Sequence, residues 1–300
     1  MPKIIQFLHP GTEATPARGA TIIPWNCSDE HKRKFMVSKG KYVSENSEKE
    51  DCLTFWGEWE PQSLVERLPE MGGAFPKWLN RPFLDNSVNC CHNTDPNVFG
   101  EVFRYMICRQ SRYPGLRNLE PNSLILFGSC IGGKFCLDTV FVVSDERTPY
   151  SKNEIEKLNS GKKDAFYYAS LKPLTCIKPC VDLKCDLDNL SHVLYKGVTF
   201  SQKEAHNNMF SFSPVRKHKN TGSFMFERPV ITIPNIIRDR LNQGINWMQG
   251  QEYTVDEIAE VWKSVVNQVE EQNLLLGTQF DNPPMGEFDK LILNDNSLFC

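Results

Sequence analysis

The stretch NSLILFGSCIGGKFCLDTVFVVSD, residues 122–145, constrains the fold more than any other part of this chain. Two apolar runs, 124–127 and 135–143, flank Gly132-Gly133. Adjacent glycines accept the backbone conformations that a tight reversal needs, so the pattern predicts a β-hairpin. Consecutive apolar positions mark its strands as covered on both faces and central in a sheet. Asp138 interrupts the second run. A carboxylate placed there costs on the order of several kcal/mol unless it is paired or hydrogen-bonded. Arg228, set in the apolar FERPV, is the mirror case. The two read either as a structural Asp–Arg pair or as members of a site.

Other patterns fill in the fold class. KIIQFL reads as a first strand, KRKFMVSKGKYV as a hairpin about SKGK, SENSEKEDC as a loop and LTFWGEW as the next strand. Residues 69–97, rich in Pro, Gly and Asn, read as a long ordered loop. Ser151 with Glu154 predicts a capped short helix. Thr254 with Glu257 caps a longer helix in which Ile258, Val261, Trp262, Val265 and Val269 share a face, with Gly277 as its stop. The expectation is an α+β fold: a mostly antiparallel, barrel-like β core with helices concentrated toward the C-terminus. Residues 1–150 form the β-rich part and 151–300 the mixed part. No linker marks the boundary, so one interlocked domain and two domains both remain open.

Charge and cysteine usage narrow the class. A net charge of −3 argues against bulk attraction to nucleic acid or membrane, although local basic patches remain. No run approaches the roughly 18 apolar residues of a membrane span, and the short apolar start is not a signal segment. No membrane partner is expected. The 11 cysteines, odd in number and irregularly spaced, point to reduced thiols and a cytoplasmic location. The cysteines of CCH (90–92) and CIKPCVDLKC (176–185) lack the paired spacing of a zinc site, so no metal is expected. Phosphate-loop, dinucleotide, nucleophile-elbow and HExxH motifs are absent, and no cofactor is expected.

Three short stretches carry candidate chemistry. In FWGEWEP (55–61), strand alternation puts Trp56 and Glu58 on one face and Phe55, Gly57 and Trp59 on the other. The tryptophans fill a core or wall a pocket for a planar group, and Trp56 is favoured for the pocket because it shares its face with Glu58. In HKRKF (31–35), His31 and Arg33 alternate with Lys32 and Lys34, which suits phosphate contacts or a solvated edge strand. In HNTDP, Asn93 and Asp95 form a strong turn.

LRNLEPNSLILFGSCIGGKFCLDTVFVVSDERTP resembles the central hairpin of PUA-like domains of the EVE, ASCH and YTH type, with Asn122 and Ser123 where those domains carry Gly-Asp. FWGEWEP is similar in character to the tryptophan-bearing strand near the start of EVE and YTH domains. The resemblance spans about residues 55–150. It implies a small β-barrel that binds RNA or a modified base in an aromatic cage, with Trp56 and Trp59 as walls and Trp25 and Trp78 as further candidates. The ligand-binding residues expected are Trp25, His31, Lys32, Arg33, Trp56, Glu58, Trp59, Asn93, Asp95 and Arg228. The expected function is a module that binds nucleic acid or a nucleotide through a (modified) base. The alternative is an enzyme acting on a nucleotide or nucleic acid, with His9 or His31 as general acid–base and Asp95 or Asp138 as carboxylate partner. A protein-interaction role is a third class.

Overall fold

The structure, a computed structural model of the chain, describes residues 1–28, 30–85, 92–158, 161, 164–175, 191–219, 223–239, 244–246 and 252–286. Its strands are β1 (Ile4–Leu8), β2 (Ile22–Ile23), β3 (Arg33–Ser44), β4 (Ser47–Glu58), β5 (Ser63–Arg67), β6 (Trp78–Pro82), β7 (Arg104–Tyr105), β8 (Leu124–Ile131), β9 (Lys134–Tyr150), β10 (His192–Gly197), β11 (Ser213–Lys217), β12 (Gly244–Asn246) and β13 (Leu275–Phe280). The α-helix α1 (Val255–Glu271) precedes β13.

The expected hairpin is β8–β9, and Gly132 and Gly133 turn it at φ of 58° and 76°. β9 continues beyond the apolar run and pairs with β10 over its far half. One sheet runs β12-β1-β8-β9-β10-β7 and the other β13-β11-β4-β3-β6-β5-β2. Pairing is antiparallel except for β1 with β8 and β3 with β6. The fold is α+β with two mixed sheets. No closed barrel forms among the described strands, although β13 bends back to pair with β3. Strands on either side of residue 150 share both sheets, through β1–β12, β3–β13, β4–β11 and β9–β10.

Both faces of the central strand segments are covered, which explains the continuous apolar runs. Trp56, Phe35, Leu124, Leu126 and Val140 enter one core cluster, which α1 closes with Ile258, Trp262 and Val265. Their strand neighbours Phe55, Met36, Ile125 and Phe141 enter a second, with Trp59, Phe99 and Phe280.

Two turn assignments are corrected. β3 runs straight through SKGK, and the chain reverses instead at Glu45 and Asn46, which take φ of 53° and 60°. Gly40 serves close approach rather than a turn: a Cβ there would stand 2.2 Å from the Gln279 carbonyl oxygen of β13. The Thr254–Glu257 capping box forms as expected, with Glu257 N–H donating to Thr254 Oγ1 at 3.2 Å. The chain turns out of α1 at Asn273 (φ 57°), and Gly277 lies inside β13 instead of stopping the helix. The 151–158 segment is a 3-10 helix, Lys152–Leu158. Among the described residues, no helix is long and apolar enough to cross a membrane. Cys108, Cys130 and Cys136 are free thiols, whereas Cys27 and Cys52 are disulfide-bonded, against the expectation of reduced thiols throughout.

Candidate functional site

The register of β3 on β4 sets Arg33 opposite Glu58 and Phe35 opposite Trp56. From that face Arg33 meets Asp138 of β9 and Trp56 meets Arg228. His9 follows β1, His31 precedes β3 and Glu60 follows β4, so three strand ends deliver their ionisable groups to one place.

Glu58 is the hub. Its Oε2 accepts a 2.6 Å hydrogen bond from Arg33 Nη1 and lies 3.8 Å from His9 Nδ1. Its Oε1 accepts from the Asp95 backbone N–H at 3.1 Å and lies 3.8 Å from His31 Nδ1. Glu60 adds a second carboxylate: Oε1 accepts from His31 Nδ1 at 2.8 Å and Oε2 from Asn26 Nδ2 at 2.6 Å. Asp95, joined to Pro96 by a cis peptide, turns its carboxylate away to receive the backbone N–H groups of Met106, Ile107 and Cys108 at 2.9, 2.8 and 2.6 Å. The NTDP turn is thus the clamp that presents the Asp95 N–H to Glu58.

The environments push these groups apart. Burial, followed by the charges of Arg33, His31 and Arg109, holds His9 well below its ordinary pKa, so its imidazole is neutral. Burial also opposes the charging of His31. There the hydrogen bond and charge of Glu60, with the charge of Glu58, prevail and raise its pKa to about 9. Burial, aided by Glu58, lifts Asp95 to about 7 against its three backbone donors. Cys108 Sγ lies 3.6 Å from His9 Nε2. Burial and the Asp95 and Glu58 charges push that thiol well up, so it is no thiolate nucleophile.

Behind Arg33 lies a second ion cluster. Asp138 is 3.4 Å from Arg33 Nε and 3.6 Å from Arg228 Nε, as the Asp–Arg reading anticipated, with two arginines in place of one. Arg228 Nη1 also donates to Ser129 Oγ at 3.3 Å.

The aromatic cage is not what these tryptophans build. Trp56 and Trp59 do point to opposite faces, but both are core, at 4% and 0% exposure. Their indole N–H groups donate to the Phe226 and Gln62 carbonyls, at 3.0 and 2.9 Å. Trp25 is buried too and donates to the His92 carbonyl at 2.8 Å. Trp78 alone of the four is half-exposed. The expected phosphate-facing strip is also corrected. Arg33 and Lys34 are buried, and Lys34 Nζ donates to the Pro61 carbonyl at 2.6 Å, while Lys32 stays half-exposed. Asn93 is buried, its Nδ2 without a hydrogen-bond partner among the described residues. Residues 90, 91 and 176–185, which carry the remaining cysteine motifs, lie outside the described residues.

Sequence reading missed Glu60, which shares the alternation phase of Glu58 and could have been found. Asn26, His92 and Cys108 carry no local signal. The ring of His92 packs 4.4 Å from that of His31, centroid to centroid, and bonds the Ser28 carbonyl. His31, Glu58 and Glu60 also form a set of possible metal-ligand atoms, all within 4.8 Å of one another. No protein-family model, curated protein or solved structure matches the chain.

Proposed function

We propose that the protein is an enzyme that transfers protons on a phosphate-bearing substrate of the nucleotide class, at the centre organised by Glu58, with His9 and His31 on its two sides. The observation that carries this is the convergence of two imidazoles on opposite oxygens of one buried carboxylate, at 3.8 Å each. A buried carboxylate orients neighbouring imidazoles, and general acid–base catalysis needs such oriented groups. His9, shielded between Phe7 and Phe127, is the base. His31, half-exposed, meets the substrate first.

Charge and likeness support this substrate class. His31 and Arg109, both half-exposed, make this end of the site cationic on a chain of net charge −3. Arg109 acts on both His9 and Cys108. Phosphate is the anion such a rim favours. The resemblance of the 55–150 segment to base-binding PUA-like domains favours a nucleotide among phosphate-bearing substrates. A base-stacking module built on Trp25, Trp56 and Trp59 has no support in their burial.

The test is turnover of nucleoside mono-, di- and triphosphates followed by phosphorus NMR. One or more should be converted, and a folded His9→Gln variant should slow conversion by about 10²–10⁴-fold. A parent protein that neither binds nor converts any of them, or a folded His9→Gln of parental rate, would overturn the proposal.

A further inference from the structure

We infer that His31, Glu58 and Glu60 form a binding site for one divalent transition-metal or zinc ion. The site goes beyond the proton-transfer reading, because metal binding can be measured without any substrate. His31 Nδ1 is 2.8 Å from Glu60 Oε1 and 3.8 Å from Glu58 Oε1, and all three ligand atoms lie within 4.8 Å of one another. Metal–ligand bonds of about 2.0–2.2 Å place neighbouring ligand atoms about 3–3.5 Å apart, so these three bracket one common point.

The outer contacts are arranged as a metal site requires. Each glutamate turns one oxygen toward His31 and gives the other to a fixed donor. Glu58 Oε2 takes Arg33 Nη1 at 2.6 Å, and Glu60 Oε2 takes Asn26 Nδ2 at 2.6 Å. Such second partners fix the carboxylate orientation, and the inward Glu58 Oε1, which also accepts the Asp95 N–H at 3.1 Å, keeps a second lone pair for an ion. Glu58 and Glu60 are separated by one residue at the end of β4, so their carboxylates leave the chain on the same side.

The donor set selects the ion. Two carboxylate oxygens and one imidazole nitrogen suit Zn²⁺ or Mn²⁺, whereas Ca²⁺ takes six to eight oxygens. Both glutamates are buried while His31 is half-exposed, so an ion enters past His31 and leaves at least one coordination position facing that side. An open position beside three protein ligands is the form of catalytic rather than structural metal sites.

The experiment is calorimetric titration of the chelator-treated, full-length chain with Mn²⁺ and, separately, Zn²⁺. The parent should take one Mn²⁺ per chain. Glu60→Gln and His31→Ala should each weaken that binding at least tenfold, with circular dichroism recording the fold. His31 is half-exposed, so its variant stays folded even if Glu60→Gln does not. Binding of neither Mn²⁺ nor Zn²⁺ by the parent, or parental affinity in the folded His31→Ala variant, would overturn the site. Metal binding without nucleotide turnover would leave this inference standing and remove the proposed function. The reverse outcome would separate them the other way.

Discussion

The guanidinium carbon of Arg228 sits 4.3 Å from the centroid of the Trp56 ring. The ring that the sequence offered as a pocket wall is the apolar floor beneath a buried cation. Its N–H is committed to the Phe226 carbonyl, and Phe35 packs tilted against it at 5.2 Å. A cation over tryptophan contributes about 2 kcal/mol or more when both are desolvated. Trp56→Ala should therefore cost about 3–5 kcal/mol of unfolding free energy from lost packing alone. Trp56→Phe should cost less, because a ring remains under Arg228. Urea denaturation checks both. A Trp56→Ala protein of parental stability would mean that the ring faces a void.

Asp138 joins Arg33 and Arg228 at 3.4 and 3.6 Å, and all three are buried. Neither carboxylate oxygen has a hydrogen-bond partner among the described residues, so the charges of Arg228 and Arg33 alone oppose the burial that raises its pKa. Removing one partner of a buried ion pair typically costs about 3–5 kcal/mol, since the other charge stays buried. Asp138→Ala should show that loss, with two cations left behind. Asp138→Leu with Arg228→Met should recover part of it, and the double-mutant coupling should exceed about 1 kcal/mol. Additive losses would mean that Asp138 and Arg228 do not interact.

Lys34 supplies a pH test with a definite sign. Burial lowers its pKa from 10.5 to about 7 while Nζ donates to the Pro61 carbonyl at 2.6 Å. The unfolded chain binds the proton more tightly than the folded one between those values. The cost of burying the ammonium is therefore complete below about pH 7 and relieved as pH rises toward 10.5. His31, raised from 6.5 to about 9, tilts stability the other way, its contribution fading as pH rises through 9. Comparing parent with Lys34→Met cancels His31. The stability advantage of the Met variant should be largest near pH 6.5 and shrink steadily by pH 9.5. An advantage independent of pH would mean that Lys34 is neutral, or solvated, throughout.

What the sequence disclosed was local. Gly132-Gly133 announced their hairpin because the conformation belongs to those residues alone, and the Thr254–Glu257 box announced α1 for the same reason. Alternation sent Trp56 and Trp59 to opposite faces correctly. Their shared burial depends on what covers each face: Phe226 comes from about 170 residues away in sequence and Phe99 from about 40. Gly40 looked like a turn glycine because its demand comes from β13, more than 200 positions on. Arg33 and Lys34 looked like surface cations because their acceptors, Glu58, Asp138 and the Pro61 carbonyl, belong to other segments. Glu58, Asp95, Asp138 and His9 were each visible as chemistry-bearing residues. Their convergence required the β3–β4 register and the Asp95 N–H given to Glu58.

Asp95 tests whether that turn positions the centre or merely closes a loop. Its carboxylate receives three backbone N–H groups, from Met106, Ile107 and Cys108, and its own N–H is given to Glu58 Oε1. Asp95→Asn keeps the size of the side chain but sets an NH₂ group against donors. At least one of the three N–H groups then loses its acceptor, a loss of about 1–3 kcal/mol for a buried donor. Amide hydrogen exchange should quicken by at least tenfold at Met106, Ile107 and Cys108, while amides in the middle of β8 and β9 keep parental rates. Because Cys108 Sγ abuts His9 Nε2 at 3.6 Å, loosening this loop should also shift the His9 ring resonances in the NMR spectrum. Faster exchange with unmoved His9 resonances would make the turn a structural clasp only. Parental exchange at all three amides would mean that the Asp95 carboxylate does not hold them.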